Sequence, residues 1–173
     1  MMIVTEYGLV QRAQAGDRAA LGDLLITHQT QMYRMAYLYV HNEADALDVV
    51  QETALQATKS IRKLRQPEYF KTWLLRILIN VAKQQIRGKP PAPLPAAKAV
   101  YQPDLAQRQD LLQLLAGLSE KRRLPIVLFY YNGLTLKEIS AVLHIPVGTV
   151  KSRMNRGLAQ LRVEGGKMNA QQN

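Results

Sequence analysis

Apolar residues recur at steps of three and four positions along most of the 173-residue chain. This spacing predicts helices, so we expect an all-α fold. The first apolar stripe predicts one amphipathic helix over about residues 19–40. Its members are Leu21, Leu25, His28, Met32, Met35 and Tyr39. Because His28 lies within this stripe, we interpret it as a hydrogen-bonded core residue and assign it no ligand.

A second helix is predicted after Asn42, whose side chain can cap it. Its inward stripe is expected to contain Leu47, Val50, Ala54, Ala57 and Ile61. Asp45, Asp48 and Glu52 then face outward, with Gln51 at the edge of this acidic face. Such a face can be simply solvated, can bind a metal, or can dock a basic protein. Metal binding is the weakest of these interpretations, because carboxylates on successive turns of one helix converge poorly.

The charge of the chain changes sign near Lys59. Residues 1–58 contain seven acidic and three basic residues, whereas residues 59–89 contain one and nine. Pro67 should leave residues 63–69 as a loop before a third helix. That helix is expected to pack through Phe70, Trp73, Leu74, Ile77, Leu78 and Val81, and to expose Lys71, Arg76, Asn80, Lys83, Gln84 and Arg87. This basic face suits locally opened nucleic acid, although Phe70 and Trp73 taken alone favour the core.

Prolines separate the chain into two parts. Five of the eight prolines lie within residues 88–103, which predicts an extended linker. Asp104 can then cap a helix with apolar positions at Leu111, Leu114, Leu115 and Leu118. Ser119 can cap another helix that runs to Tyr131 and ends at Asn132 and Gly133. Pro125 should kink this helix or delay its start.

Residues 132–161 predict two short helices around a tight turn. Thr135 and Glu138 form a capping box, and residues 144–146 form the turn, in which Pro146 favours a new helix start. The second helix is expected to bury Val147, Val150, Met154, Leu158 and Leu161, and to expose Ser152, Asn155 and Arg156, flanked by Lys151 and Arg153. This is the geometry of a helix-turn-helix motif, whose second helix enters the major groove; an ordinary solvated helix pair has the same pattern. We predict that the polar tail after Leu161 is frayed.

Composition narrows the choice of partner. The net charge of +10 makes a polyanion the first partner to consider, and an anionic membrane surface the second. The absence of cysteine excludes disulfides and thiolate metal sites, and it fits a reducing cytoplasm. The sequence has no signal-peptide pattern and no apolar stretch of transmembrane length. We therefore expect a soluble cytoplasmic protein without a cofactor or a metal.

Three segments, in this order, resemble the extracytoplasmic-function sigma factors of the sigma-70 family. They are DALDVVQET at residues 45–53, FKTWLLRILINVAK at 70–83 and LTLKEISAVLHIPVGTVKSRMNRGLAQLR at 134–162. With the helices between them, the resemblance spans about residues 18–163. It implies an all-α protein with a sigma region 2-like domain over residues 1–88, a Pro-rich linker over 89–103, a region 4-like helix-turn-helix domain over 104–165 and a flexible tail over 166–173.

The resemblance also implies a role for each surface. The acidic helix would bind the clamp helices of core RNA polymerase, through Asp45, Asp48, Gln51 and Glu52. The loop and third helix would recognise and open the promoter minus-ten element, through Leu64, Arg65, Trp73, Arg76, Asn80, Lys83 and Gln84. The helix-turn-helix would recognise the minus-thirty-five element in duplex DNA, through Thr149, Lys151, Ser152, Arg153, Asn155 and Arg156. An anti-sigma factor, often membrane-anchored in this family, would be a further partner.

The resemblance leads us to expect a promoter-specificity subunit without catalytic residues or a small-molecule substrate, which acts at the nucleoid in a stress or envelope response. Two alternatives stay open. A free-standing helix-turn-helix repressor or activator would bind an operator without polymerase, usually as a dimer, but no dimerisation helix is evident. A nucleic-acid-processing enzyme would need a nucleophile or metal centre, whereas His28, His41 and His144 are dispersed.

Overall fold

The computed structural model describes residues 5–87, 115 and 117–171, with side chains up to Glu164, and the chain divides into two compact units, Met1–Ala92 and Pro93–Asn173. The described helices of the first unit are α1 (Glu6–Gln14), α2 (Arg18–Val40), α3 (Glu43–Ser60) and α4 (Phe70–Ile86). Those of the second unit are α5 (Glu120–Ile126), α6 (Leu136–Leu143) and α7 (Val147–Gln171). The described residues contain no strand, so the predicted all-α fold with two helical units is confirmed.

The predicted linker over residues 89–103 and most of the helix predicted from Asp104 lie outside the described residues. Two apolar positions of that predicted helix are described. Leu115 and Leu118 are both buried, as their spacing predicts.

Helix α1 is an element that we did not predict from the apolar pattern. Thr5 caps it, because its hydroxyl oxygen accepts a hydrogen bond from the N–H of Gly8. The helix ends at a turn in which Gly16 has a φ of +104°, a conformation that favours glycine. Asp17 then caps α2 by accepting a hydrogen bond from the N–H of Ala20 at 3.1 Å. Arg12 also pairs with Asp17, at 2.6 Å, and so joins the end of α1 to the start of α2.

Asp17 should make the stability of the first unit depend on pH. The N–H of Ala20 and then the Arg12 guanidinium hold the pKa of Asp17 below its ordinary value of 3.8. A carboxyl whose pKa is lowered by folding stabilises the fold above its unfolded pKa and loses that contribution as the pH falls through its folded pKa. We expect Asp17→Ala to lower the thermal midpoint at pH 7, and the difference from wild type to shrink below about pH 3.8. Melting curves followed by circular dichroism between pH 2 and 7 test this, and a difference that does not change with pH would contradict it.

Helix α2 is central in the first unit and packs against α1, α3 and α4, and α3 also packs against α4. The core of the unit lies between these helices. Its largest fully buried side chains are Val10, Leu24, Met32, Met35, Val49, Phe70, Leu74, Leu75, Leu78 and Ile79. His28 is buried with its ring centroid 5.7 Å from that of Phe70, and its Nδ1 lies 3.2 Å from Oε1 of Gln31. The interpretation of His28 as a core residue is therefore confirmed. Leu25 is only half-buried, because Leu24 occupies the core position beside it.

The predicted register of α3 is wrong by about one residue in the first part of the helix, whereas Ala57 and Ile61 are buried as predicted. Asn42 does cap the helix, with its Oδ1 3.0 Å from the N–H of Asp45. The buried residues, however, are Ala46, Val49, Thr53 and Ala57. Leu47, which we expected inside, is 50% exposed. Small residues allow α3 to approach its neighbours closely, and this packing decides its orientation more strongly than the size of its apolar side chains.

The connection between α3 and α4 (residues 61–69) is more ordered than the predicted loop. It contains two 3-10 turns, Ile61–Lys63 and Pro67–Tyr69, and Pro67 occupies the first position of the second turn. Ile61 and Leu64 are buried, whereas Arg62, Lys63, Arg65 and Gln66 are exposed. The connection therefore presents its polar residues outward on an apolar base.

Pro125 lies inside α5, and the helix starts at Glu120, so Pro125 does not delay its start. Directly after Ile126 the backbone changes to a π turn, Val127–Tyr131, in which the N–H of Asn132 bonds to the carbonyl of Val127 at 3.1 Å. Proline acts on the turn before it, through its missing N–H and the carbonyl of Lys121, so it does not by itself account for the π turn that follows. Gly133, with a φ of +67°, then redirects the chain.

The helix-turn-helix is formed by α6 and α7, which pack against each other. The predicted capping box is present, with the Thr135 N–H 2.7 Å from Oε2 of Glu138 and the Glu138 N–H 3.3 Å from Oγ1 of Thr135. Helix α7 continues to Gln171, beyond the point at Leu161 where we predicted a frayed tail. A hydrogen bond of 2.9 Å from Gln160 to Glu164 spans one turn of this extension.

Gly157 allows α5 and α7 to cross closely. A Cβ at this position would lie 2.6 Å from Cδ1 of buried Ile126 and 3.4 Å from Cβ of Arg122. We expect Gly157→Val to destabilise the second unit by about 1–3 kcal/mol through overpacking. Gly148→Val is the matched control on the same helix, because a Cβ at Gly148 meets nothing within 4 Å. Amide hydrogen exchange in α5 and α7 should accelerate in the first variant and not in the second; equal exchange in both would contradict the prediction.

Candidate functional site

The exposed face of α3 combines negative charge with apolar surface. Asp48, Gln51 and Glu52 are exposed, and with Leu55 and Gln85 of α4 they line an open groove of about 380 Å³. Leu55 is 47% exposed, so the groove is not purely polar. Exposed leucines among carboxylates suit a protein partner with basic and apolar groups better than bulk solvent.

Asp45 lies at the edge of this acidic face and is only half-buried. Its Oδ1 is 3.4 Å from Nε2 of Gln85, so this carboxylate faces α4. Within the described residues, no three His, Asp or Glu side chains are close enough together to hold a metal ion. The carboxylates of α3 lie along one helix and do not converge on a common point within the described residues.

Two tyrosines of α2 lie near the start of α3. The rings of Tyr33 and Tyr37 stack with centroids 6.3 Å apart. Burial, and then the negative charge of Glu43, raises the pKa of both hydroxyls above 10.0. Both hydroxyls therefore stay uncharged at neutral pH.

Helix α4 presents a second candidate surface, which is polar and basic. Of the residues predicted there, Arg76, Asn80, Lys83 and Gln84 are all exposed. Trp73 is half-buried, and its ring lies 5.8 Å from that of Phe70, which is fully buried. Trp73 therefore contributes to the core through one side and leaves the other accessible.

The connection at residues 61–69 contains two residues that we predicted to contact the same ligand, and their exposure differs. Arg65 is exposed, whereas Leu64 is 8% exposed and packs inward. In this structure Arg65 is available to a ligand and the Leu64 side chain is not. Lys63 and Gln66 are also exposed on either side, although we did not single them out from the sequence.

Helix α7 presents the third candidate surface. Val150 and Met154 are buried, as predicted, and the residues that we expected to be outside, Lys151, Ser152, Asn155 and Arg156, are exposed. Thr149 and Arg153 are half-buried, and the Ser152 hydroxyl donates to the carbonyl of Thr149 at 3.1 Å. His144 ends α6 in the left-handed conformation, with a φ of 54°, and the Ser140 hydroxyl bonds to the carbonyl of Ile145 at 2.6 Å. These local bonds hold the turn so that the start of α7 projects its polar face into solvent.

Some residues on these surfaces were missed from the sequence. Leu47 and Leu55 flank the acidic face, and Gln85 completes the groove. No local sequence signal distinguishes them from core residues. The second unit also exposes three consecutive aromatic residues, Phe129, Tyr130 and Tyr131, on its π turn. Among the described helices, none has the length and hydropathy needed to cross a membrane.

Comparisons with known proteins identify the family of both helical units. Residues 24–90 match the family model of Sigma-70 region 2, and residues 108–161 match that of Sigma-70, region 4. The chain is 32% identical to the RNA polymerase sigma-H factor of Pseudomonas aeruginosa, over 86% of this chain and 87% of the relative. It is also 32% identical to the ECF RNA polymerase sigma-E factor of Escherichia coli strain K12, over 88% of this chain and 90% of the relative.

A solved structure, that of CnrH in complex with the cytosolic domain of CnrY, is similar with a TM-score of 0.72 and 26% identity, over 94% of this chain and 97% of that one. Matches to both regions, in the order that the two helical units have here, define a transcription initiation factor. The chain belongs to the sigma-70 family, and within it to the extracytoplasmic-function sigma factors.

Proposed function

We propose that this sigma factor binds core RNA polymerase through the acidic face of α3 and directs transcription from promoters that its two basic surfaces recognise. The exposed residues of the α3–α4 connection and of α4 contact the opened minus-ten element. The exposed residues of α7 contact the duplex minus-thirty-five element. The chain contributes binding and orientation, and the polymerase contributes the chemistry.

The observation that carries this proposal is the separation of charge between surfaces within one chain of this family. Carboxylates and exposed leucines occupy α3, whereas cations occupy α4, the connection and α7. Cations neutralise phosphates and release counterions, so the two basic surfaces suit nucleic acid. Carboxylates repel phosphates, so α3 suits a protein partner instead.

We further propose an anti-sigma factor as a regulatory partner, acting in the cytoplasm and holding the chain at the membrane when the anti-sigma factor is anchored there. Support comes from the similar CnrH, whose solved structure is a complex with the cytosolic domain of CnrY. A response to stress or to the cell envelope fits this mode of control. The exposed aromatic residues of the π turn offer apolar surface for such a protein contact.

Reconstituted transcription with mapped start sites tests the proposed function. Core RNA polymerase with this chain should start transcripts at discrete genomic positions that share two upstream elements, and core polymerase alone should not. The chain without polymerase should bind the same promoter duplexes only weakly in a gel shift. Tight binding to a palindromic duplex without polymerase, and no transcripts with it, would replace the proposal by a free-standing repressor.

A further inference from the structure

The position of α1 suggests a function for a helix that lies before the family-model match at residues 24–90. It packs against α2 and also against both 3-10 turns of the connection at residues 61–69. The guanidinium of Arg62 lies against the α1–α2 turn, because a Cβ at Gly16 would be 3.2 Å from its Nη2. One side of α1 therefore supports the segment that the proposed function assigns to the minus-ten element.

One hydrogen bond links α1 to the centre of this connection. Nε2 of Gln14, in the last turn of α1, donates to the carbonyl oxygen of Leu64, fifty residues later in the chain. That carbonyl and the N–H of Arg65 belong to the same planar peptide group. A bond to the oxygen therefore fixes the peptide plane directly before Arg65, and with it the position of the Arg65 Cα from which the side chain extends.

The support for this bond is itself held in place. Arg12 and Asp17 pair at 2.6 Å across the end of α1, and Asp17 caps α2. On the other side of the bond, the Leu64 side chain is buried and its N–H donates to the carbonyl of Ile61 at 3.1 Å. The connection is thus anchored from inside, while Lys63, Arg65 and Gln66 remain exposed.

We propose that Gln14 is a positioning residue for recognition of the minus-ten element. Through the Leu64 carbonyl it holds Arg65 and its exposed neighbours in the orientation in which they meet the opened strand. In this proposal Gln14 does not itself contact DNA, because its side-chain amide donates its hydrogen bond to the Leu64 carbonyl. This inference rests on the proposed function, because it requires that the connection contact the minus-ten element.

The test compares three forms of the full chain reconstituted with core RNA polymerase: wild type, Gln14→Met and Gln11→Met. Methionine keeps the length of the side chain and removes the donor. Gln11 lies one turn earlier on α1 and is exposed, so it is the matched control. The probe is the nontemplate-strand oligonucleotide of the minus-ten element of a mapped promoter, and its affinity is measured by fluorescence anisotropy.

We expect Gln14→Met to weaken binding of this oligonucleotide by roughly threefold to tenfold, which corresponds to one ordinary hydrogen bond. Gln11→Met should bind as wild type does. Discrimination between the cognate oligonucleotide and base-substituted versions should also fall in Gln14→Met. Discrimination is the ratio of the affinities for the cognate and the base-substituted oligonucleotides. A reduced fraction of folded protein lowers both apparent affinities equally and leaves this ratio unchanged. The ratio therefore separates a loss of positioning from a loss of fold. Gln14→Glu, which also lacks the donor, should reproduce both effects.

Unchanged affinity and discrimination in Gln14→Met would overturn the inference, as would weaker binding with unchanged discrimination. Failure of the wild-type holoenzyme to bind the oligonucleotide at all would instead remove the proposed function. The two failures are therefore distinguishable within one experiment.

Discussion

The double variant Asp48→Arg with Glu52→Arg should lose binding to core RNA polymerase by at least about a hundredfold. Each substitution replaces an exposed carboxylate by a guanidinium, so an attraction to a basic partner becomes a repulsion. Like charges juxtaposed in an interface cost several kcal/mol, and each 1.4 kcal/mol is a factor of about ten in affinity. Co-elution at moderate ionic strength and a binding titration with labelled chain measure the loss.

The fold should survive this change. Both side chains are exposed, and the Glu52 carboxylate receives one surface hydrogen bond, from Gln56 at 3.0 Å. The two positions are four residues apart, so the variant replaces one like-charged pair by another on the same helix face. Arginine is also a good helix former. The circular dichroism spectrum and the melting midpoint should therefore remain close to those of wild type.

Asp23→Arg supplies the control for net charge. Asp23 is exposed on α2, outside the groove lined by Asp48 and Glu52, and its reversal adds the same charge as either single variant. If the effect arises from the α3 face, Asp48→Arg and Glu52→Arg should each weaken binding more than Asp23→Arg does. Retained binding in the double variant would remove the docking proposal for α3.

The features that the sequence predicted best are those that depend on residues close together in the chain. The capping box of Thr135 and Glu138 and the turn before Pro146 are local features, and the helix-turn-helix formed where they indicated. Periodicity also placed the polar face of α7 correctly, because Val150 and Met154 are large and leave one inward orientation. These elements satisfy propensity, capping and burial together.

The sequence predicted less well which residues are buried where burial depends on packing between helices that are distant in the chain. Leu47 and Ala46 both fit an apolar stripe, and the closeness of the neighbouring helices selected the smaller residue for the core. Leu64 shows the same dependence, since it is buried and its carbonyl contacts Gln14 of α1, fifty residues earlier in the chain. The signals for α1 were present as Thr5 before it and the Gly16–Asp17 pair after it, which are ordinary helix start and stop residues.

The second large effect is expected at the minus-thirty-five element, in the variant Asn155→Ala with Arg156→Ala. Both side chains are exposed on α7, whereas Val150 and Met154 of the same helix are buried. They lie on the face proposed to enter the major groove. A good bidentate contact from Asn or Arg to a base edge discriminates by about 1–3 kcal/mol. The variant should therefore lower initiation from a promoter that depends on this element by roughly thirtyfold or more, measured as transcripts from reconstituted holoenzyme.

Arg162→Ala is the matched control, because Arg162 is an exposed cation on the same helix, six residues after Arg156. It removes a charge without altering the proposed base contacts, so it should reduce initiation only a few-fold and weaken all promoters alike. In the double variant, base changes within the minus-thirty-five element should alter the rate less than they do in wild type, since two of the exposed groups proposed to contact this element are gone. Equal losses in the control and the double variant, with base preference kept in both, would show that α7 contributes charge and not recognition.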